Sequence, residues 1–160
     1  MKVHSQTDVG LVRTLNEDAC RTGLLGENGA WAVVCDGMGG ANGGEIASET
    51  AVKSIEEQIL ASYEEDFKSE EMKLMLSTLI FHANSAVYDM AQENESLKGM
   101  GTTIVVAIVL DNVAHIAHAG DSRAYLLHNG NIMQITTDHS MVQELIKNGD
   151  LTVEQAKVHP

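Results

Sequence analysis

Residues 102–110 are almost unbroken β-branched and aliphatic sequence, the pattern of a strand covered on both faces. Asp111-Asn112 offers a tight turn after it, and residues 113–119 return as an antiparallel partner. A second hairpin follows, with strands at 124–127 and 132–135 joined by His128-Asn129-Gly130-Asn131. Earlier in the chain, residues 31–35 (Trp-Ala-Val-Val-Cys) form a short apolar run suited to a buried strand, and residues 23–29 read as the hairpin connection leading into it. Residues 2–10 alternate, with Val3, Ser5, Thr7 and Val9 on one parity, which predicts a first strand. Between these β segments the period changes. Ile46, Ala47, Thr50, Ala51, Ile55 and Ile59 recur at helical spacing and predict a helix over 44–62. A second helix is predicted from near Ser69, its apolar face made of Met72, Met75, Leu76, Leu79, Ile80, Ala83, Ala86, Val87 and Met90. Ser140 with Gln143 fits a capping box opening a helix to about Lys147, and Thr152 starts a further short turn. Two consecutive helices between groups of antiparallel strands do not alternate as βαβ units do, so the fold class is α+β.

Composition narrows this picture. At 160 residues and 44% hydrophobic content, the chain has the length of one domain and enough apolar sequence for a core. A formal net charge of -13 argues against general nucleic-acid binding. It also means that an anion is captured only where metals or well-placed arginines reverse the field. The acid clusters Glu56-Glu57, Glu64-Glu65-Asp66 and Glu70-Glu71 read as solvated helix surface. No apolar run approaches the length of a membrane span, no leader pattern opens the chain, and Cys20 and Cys35 suggest neither a metal pair nor a disulfide framework. A cytoplasmic location is the expectation.

Candidate chemistry concentrates around Asp36. It stands at the mouth of the 31–35 strand, and the glycines of 37–44 carry the chain on into the first helix. Carboxylates beside permissive backbone suit hard cations, which take oxygen ligands including main-chain carbonyls; an acidic turn before a helix is the plainer alternative. Arg13, Glu17 and Asp18 sit in a mostly apolar frame, where they make either a surface ion pair or part of a metal site. Asp121 is a second acid beside a glycine at a strand boundary. His115 and His118, three apart on a strand, face opposite ways, and His82 has no acid at ligand spacing, so a structural role is expected for it. No phosphate-cradling GxxxxGK[ST] or strand-linked GxGxxG loop, nucleophile elbow, HExxH or internal repeat is present.

Five short stretches nevertheless occur in an informative order: Val12-Arg13 through Asn16-Glu17-Asp18, Asp36-Gly37-Met38-Gly39-Gly40, Gly101-Thr102-Thr103, Ala119-Gly120-Asp121-Ser122-Arg123 and Thr137-Asp138-His139-Ser140. Together they resemble the metal-dependent serine/threonine protein phosphatases of type 2C, above all their compact bacterial members. The resemblance implies a four-layer α-β-β-α sandwich of two antiparallel sheets flanked by helices. It implies hydrolysis of phosphoserine and phosphothreonine in proteins by a water activated at a pair of Mn²⁺ or Mg²⁺ ions, opposing serine/threonine kinases. By the same resemblance Asp36 bridges the metals, the Gly37 carbonyl binds one, Glu17 and Asp18 hold metal-bound waters, and Arg13 grips the substrate phosphate. Asp121 helps to hold a third ion. Met38 stands where some relatives have a histidine after Asp-Gly, so the leaving group takes its proton from elsewhere. Two further metal-binding aspartates of the family have no counterpart after Asp121, where only Asp138, Glu144, Asp150 and Glu154 remain. Asp138 reads as a turn and helix-entry residue. Residues 1–160 are therefore expected to be the N-terminal part of one catalytic domain with weakened metal binding. A phosphatase-like module that binds phosphoproteins without hydrolysing them is the alternative for the isolated chain.

Overall fold

The computed structural model describes residues 1–39, 43–64, 67 and 69–156. Strands β1 (Asp18–Leu25) and β2 (Gly29–Met38) form the first hairpin, followed by helices α1 (Gly43–Ser62) and α2 (Ser69–Glu93). A single 3-10 turn, Glu95–Leu97, leads to the short strand β3 (Gly101–Thr102), then β4 (Ile104–Leu110) and β5 (Val113–Ala119). The hairpin β6 (Tyr125–His128) and β7 (Asn131–Gln134) precedes α3 (Met141–Asn148) and α4 (Val153–Ala156). The main sheet runs β1-β2-β4-β5 with β3 beside the end of β2, all antiparallel; β6 and β7 make a second, two-stranded sheet. The molecule is α+β, with two antiparallel sheets and two helix pairs, as the element order predicts.

Register explains the core. Trp31 pairs with Ile108 and Val33 with Val106, so these side chains share one face of the sheet with Cys35 and Ile104. Against that face α1 lays Ala47, Ala51, Val52, Ile55 and Ile59, and α2 adds Met72, Leu76, Leu79 and Ala83, all buried. Full burial of each isoleucine or valine contributes about 1.5–3 kcal/mol. The two cysteines fall on opposite faces, since Cys20 pairs with Val34 while Ala19 pairs with Cys35. They cannot bond to each other, and burial pushes the Cys35 thiol up to about 12, which leaves it inert.

Several expectations need correction. Residues 2–10 are not a strand: they are exposed and irregular, because among the described residues no strand edge pairs with them. Alternation supplies a half-buried face only when a neighbouring strand supplies the ladder. Residues 23–25 belong to β1 rather than to the connection, and the turn is confined to Gly26–Asn28. The 102–110 strand is broken at Thr103, and of β4 only Ile104, Val106 and Ile108 are buried. Its other face, with Val34 opposite Val105, is only partly covered. Met90 lies outside the buried stripe of α2, and His82 is exposed, with no structural role in the core. Glu65 and Asp66 of the acid clusters, and residues 40–42 of the glycine-rich stretch, lie outside the described residues.

The turns follow their sequences. Asp111 and Asn112 adopt φ of 47° and 66°, and Asn129 and Gly130 adopt 50° and 76°, the mirror-image turn geometry that short hairpins require. Ser140 caps α3 by accepting from the Gln143 N–H at 3.2 Å, and Gly149 ends it in the left-handed conformation.

Candidate metal and phosphate site

Strand pairing places the central acids. Asp18 opens β1 directly opposite Asp36 near the end of β2, on the sheet face away from α1. Across this pair the Asp18 carboxyl acts on that of Asp36. The Asp36 carboxyl is raised above the usual carboxylate range, first by burial, then by the neighbouring Asp18 carboxyl, then by the charge of Asp121; Arg13 opposes this. The fold thus brings Asp18, Asp36 and Asp121 into one electrostatic cluster, with Arg13 near enough to act on it.

Arg13 donates from Nη1 to Glu17 Oε2 at 2.7 Å, while most of the arginine stays exposed. The Glu17 carbonyl accepts from the Gly37 N–H at 3.1 Å, which ties the entry to β1 to the end of β2. Residues 8–13, with Glu17, Asp18 and Asp36, line a cleft of about 420 Å³. Asn16 organises its floor: its Oδ1 accepts from the Asp18 N–H at 3.1 Å and its Nδ2 donates to Thr7 Oγ1 at 2.8 Å.

The donors suit a hard divalent cation. They are carboxylates whose mutual repulsion a dication would relieve, beside backbone that a Cβ would obstruct at Gly37. Among the described residues, no three His, Cys, Asp or Glu side chains already converge closely enough to hold an ion. The ions would therefore depend on main-chain carbonyls and water for the rest of their shells.

Two groups of residues outside the acid cluster hold it in place, and neither is a candidate by residue type. Thr102 and Thr103 hold the Asp36 backbone: the Asp36 carbonyl accepts from the Thr103 N–H (2.9 Å) and the Thr102 hydroxyl (3.0 Å). The second group fixes the loop carrying Asp121. Arg123 Nε donates to both Asp138 oxygens (2.9 and 3.1 Å), and its Nη2 donates to Oδ2 at 2.6 Å. The His139 N–H donates to the Gly120 carbonyl at 2.9 Å, and the His139 ring stacks on His118 at 4.4 Å. Asp138 is thus the anchor of a clasp as well as a helix-entry residue. Opposite charges 15 residues apart would have been the only signal.

This clasp has a pH signature. The Arg123 hydrogen bonds hold the Asp138 carboxyl below its ordinary value. A lowered folded pKa gives stability that is present above the unfolded value of about 3.9 and lost as pH falls through the folded one. Asp138→Asn should lower the melting temperature by a few degrees at pH 7. The gap to wild type should persist to about pH 5 and close below about pH 4, which thermal melts across pH would show.

Comparison with known proteins gives the family. The family described as Protein phosphatase 2C matches residues 12–153. The serine/threonine phosphatase stp of Listeria welshimeri is 37% identical over 163 residues, covering 100% of this chain and 63% of the relative. Protein phosphatase PhpP of Streptococcus pneumoniae is 36% identical, covering 100% of this chain and 64% of the relative. Among solved structures, serine/threonine phosphatase Stp1 of Staphylococcus aureus superposes with a TM-score of 0.87 at 39% identity, over 97% of this chain and 60% of that one. The catalytic domain of the phosphatase PstP, solved with two manganese ions, superposes with a TM-score of 0.76 at 34% identity, over 94% of this chain and 61% of that one. The chain therefore spans a little under two thirds of the length of these relatives.

Proposed function

Because this chain belongs to the protein phosphatase 2C family, we propose that its acid cluster and Arg13 serve the metal-dependent hydrolysis of phosphoserine and phosphothreonine in proteins. The observation that carries this reading is the placement of Asp36 opposite Asp18, within the field of Asp121 and Arg13, at a cleft. Asp36, the Gly37 carbonyl and Asp121 would hold Mn²⁺ or Mg²⁺, with Glu17 and Asp18 orienting coordinated waters; two ions are expected, and a third near Asp121. Bound divalent metal would supply the positive charge that makes water nucleophilic at neutral pH and offsets charge on the phosphate. Arg13 presents the substrate side of the site. Its guanidinium carries five donors in a planar fork, so it can keep Glu17 and still offer N–H groups to a phosphate dianion. Met38 has no acidic proton to give, so the leaving alkoxide would take its proton from a metal-bound water or from elsewhere. The partners are phosphorylated proteins in the cytoplasm, where the activity would oppose serine/threonine kinases. Among the described residues no helix is long and apolar enough to cross a membrane.

The test is hydrolysis of p-nitrophenyl phosphate across a Mn²⁺ titration, with wild type beside Arg13→Ala. Loss of a charge-assisted hydrogen bond to the phosphate should raise KM about tenfold or more with a smaller change in kcat. Equal KM values for the two proteins would remove Arg13 from the phosphate site. One observation favours a second reading, a module that binds phosphoproteins without hydrolysing them: no three metal-binding side chains converge among the described residues. Phosphate release separates the two.

A further inference from the structure

We infer that Thr103 is a positioning residue that fixes Asp36 relative to Asp121 through a chain of hydroxyl groups. What the two acids do rests on the phosphatase reading above; how they are held does not. The register that pairs Val34 with Val105 and Gly37 with Thr102 puts Asp36 opposite Thr103. Such a pair in an antiparallel ladder ordinarily exchanges two N–H···O=C bonds. Only one takes that form here, from the Thr103 N–H to the Asp36 carbonyl at 2.9 Å. The Asp36 N–H instead donates to the Thr103 hydroxyl oxygen at 3.0 Å, while the Thr103 carbonyl shares the one proton of the Thr102 hydroxyl, 3.0 Å away, with the Asp36 carbonyl. The sheet breaks between β3 and β4 at this residue.

The far side of Thr103 meets the loop that carries Asp121. Its hydroxyl lies 2.7 Å from the Ser122 hydroxyl. Having accepted from Asp36, it retains a proton for Ser122 and a further lone pair. Its methyl group is seated against Gly120, which has φ of +104°; a Cβ on Gly120 would lie 2.7 Å from that methyl. One side chain therefore grips the backbone of one acid and both neighbours of the other. Asp36 and Asp121 come from segments 85 positions apart in numbering, and a short hydroxyl relay holds their spacing.

Two substitutions separate the hydroxyl from the methyl. Thr103→Val keeps the branched shape and removes the relay; Thr103→Ser keeps the relay and vacates the seat at Gly120. Amide hydrogen exchange by NMR on the metal-free chain, with Mn²⁺ affinity from the EPR signal of the free ion, reads both. In Thr103→Val the Asp36 amide should exchange about tenfold faster and the Mn²⁺ dissociation constant rise about tenfold. The Val33 and Val106 amides should be unaffected, and Thr103→Ser should stay near wild type on both readouts. Wild-type exchange and affinity in Thr103→Val, an equal loss in Thr103→Ser, or acceleration spread evenly along β2 and β4 would each overturn the inference. Wild type that binds no Mn²⁺ but shows this exchange pattern would sink the phosphatase reading and uphold the positioning role.

Discussion

Gly37→Ala is expected to cost about 3 kcal/mol or more of folding stability, at the upper end for overpacking, and to disrupt the acid cluster with it. A Cβ at Gly37 would lie 2.0 Å from the Gly44 carbonyl oxygen and 2.5 Å from the Glu17 carbonyl oxygen. Both obstacles are backbone, so no rotamer change relieves them. The end of β2 can clear them only by moving off the start of α1 or off the entry to β1. Either movement breaks the Gly37 N–H bond to Glu17 and turns the Gly37 carbonyl away from where a metal would need it. Urea denaturation measures the effect, and a loss under about 1 kcal/mol would show that the junction is looser than this packing.

Asp36→Asn is expected to act with opposite signs on stability and on metal binding. The near-isosteric amide keeps the shape of the side chain and takes one acid out of a mutually repelling group. The melting temperature should therefore hold or rise. Changing residues that merely orient metal ligands weakens binding about 10–100-fold, so if Asp36 is a direct ligand its loss should weaken Mn²⁺ binding by about 100-fold or more. Turnover should fall at least as far. Calorimetric Mn²⁺ titration beside a thermal melt tests both halves. Unchanged affinity would remove Asp36 from the metal site, and a lower melting temperature would make it a structural residue.

How much of this was legible in the sequence depended on the range of the interaction. The helices and both late hairpins were readable because their signals are local: periodicity in 44–62, a capping box at Ser140, turn residues at Asn129-Gly130. The alternation of residues 2–10 was equally clear and still predicted the wrong element, since a strand also needs an edge to pair with. Arg13, Glu17, Asp18, Asp36 and Asp121 were identifiable as candidates from residue type and from the resemblance. Sequence could not show that Asp18 lies opposite Asp36, because register is a tertiary fact. The Arg123–Asp138 clasp and the Thr103–Ser122 contact were invisible for the same reason: each joins segments at least 15 residues apart through ordinary polar side chains.

Release of inorganic phosphate from a phosphothreonine peptide, followed across a Mn²⁺ titration with this chain, tests the central claim most directly. Hydrolysis at the Asp36 cluster requires release that climbs with Mn²⁺ into the millimolar range, stops on chelation, and is absent in Asp36→Asn. Peptide that binds and stays phosphorylated at every Mn²⁺ concentration would contradict it and leave a phosphoprotein-binding module.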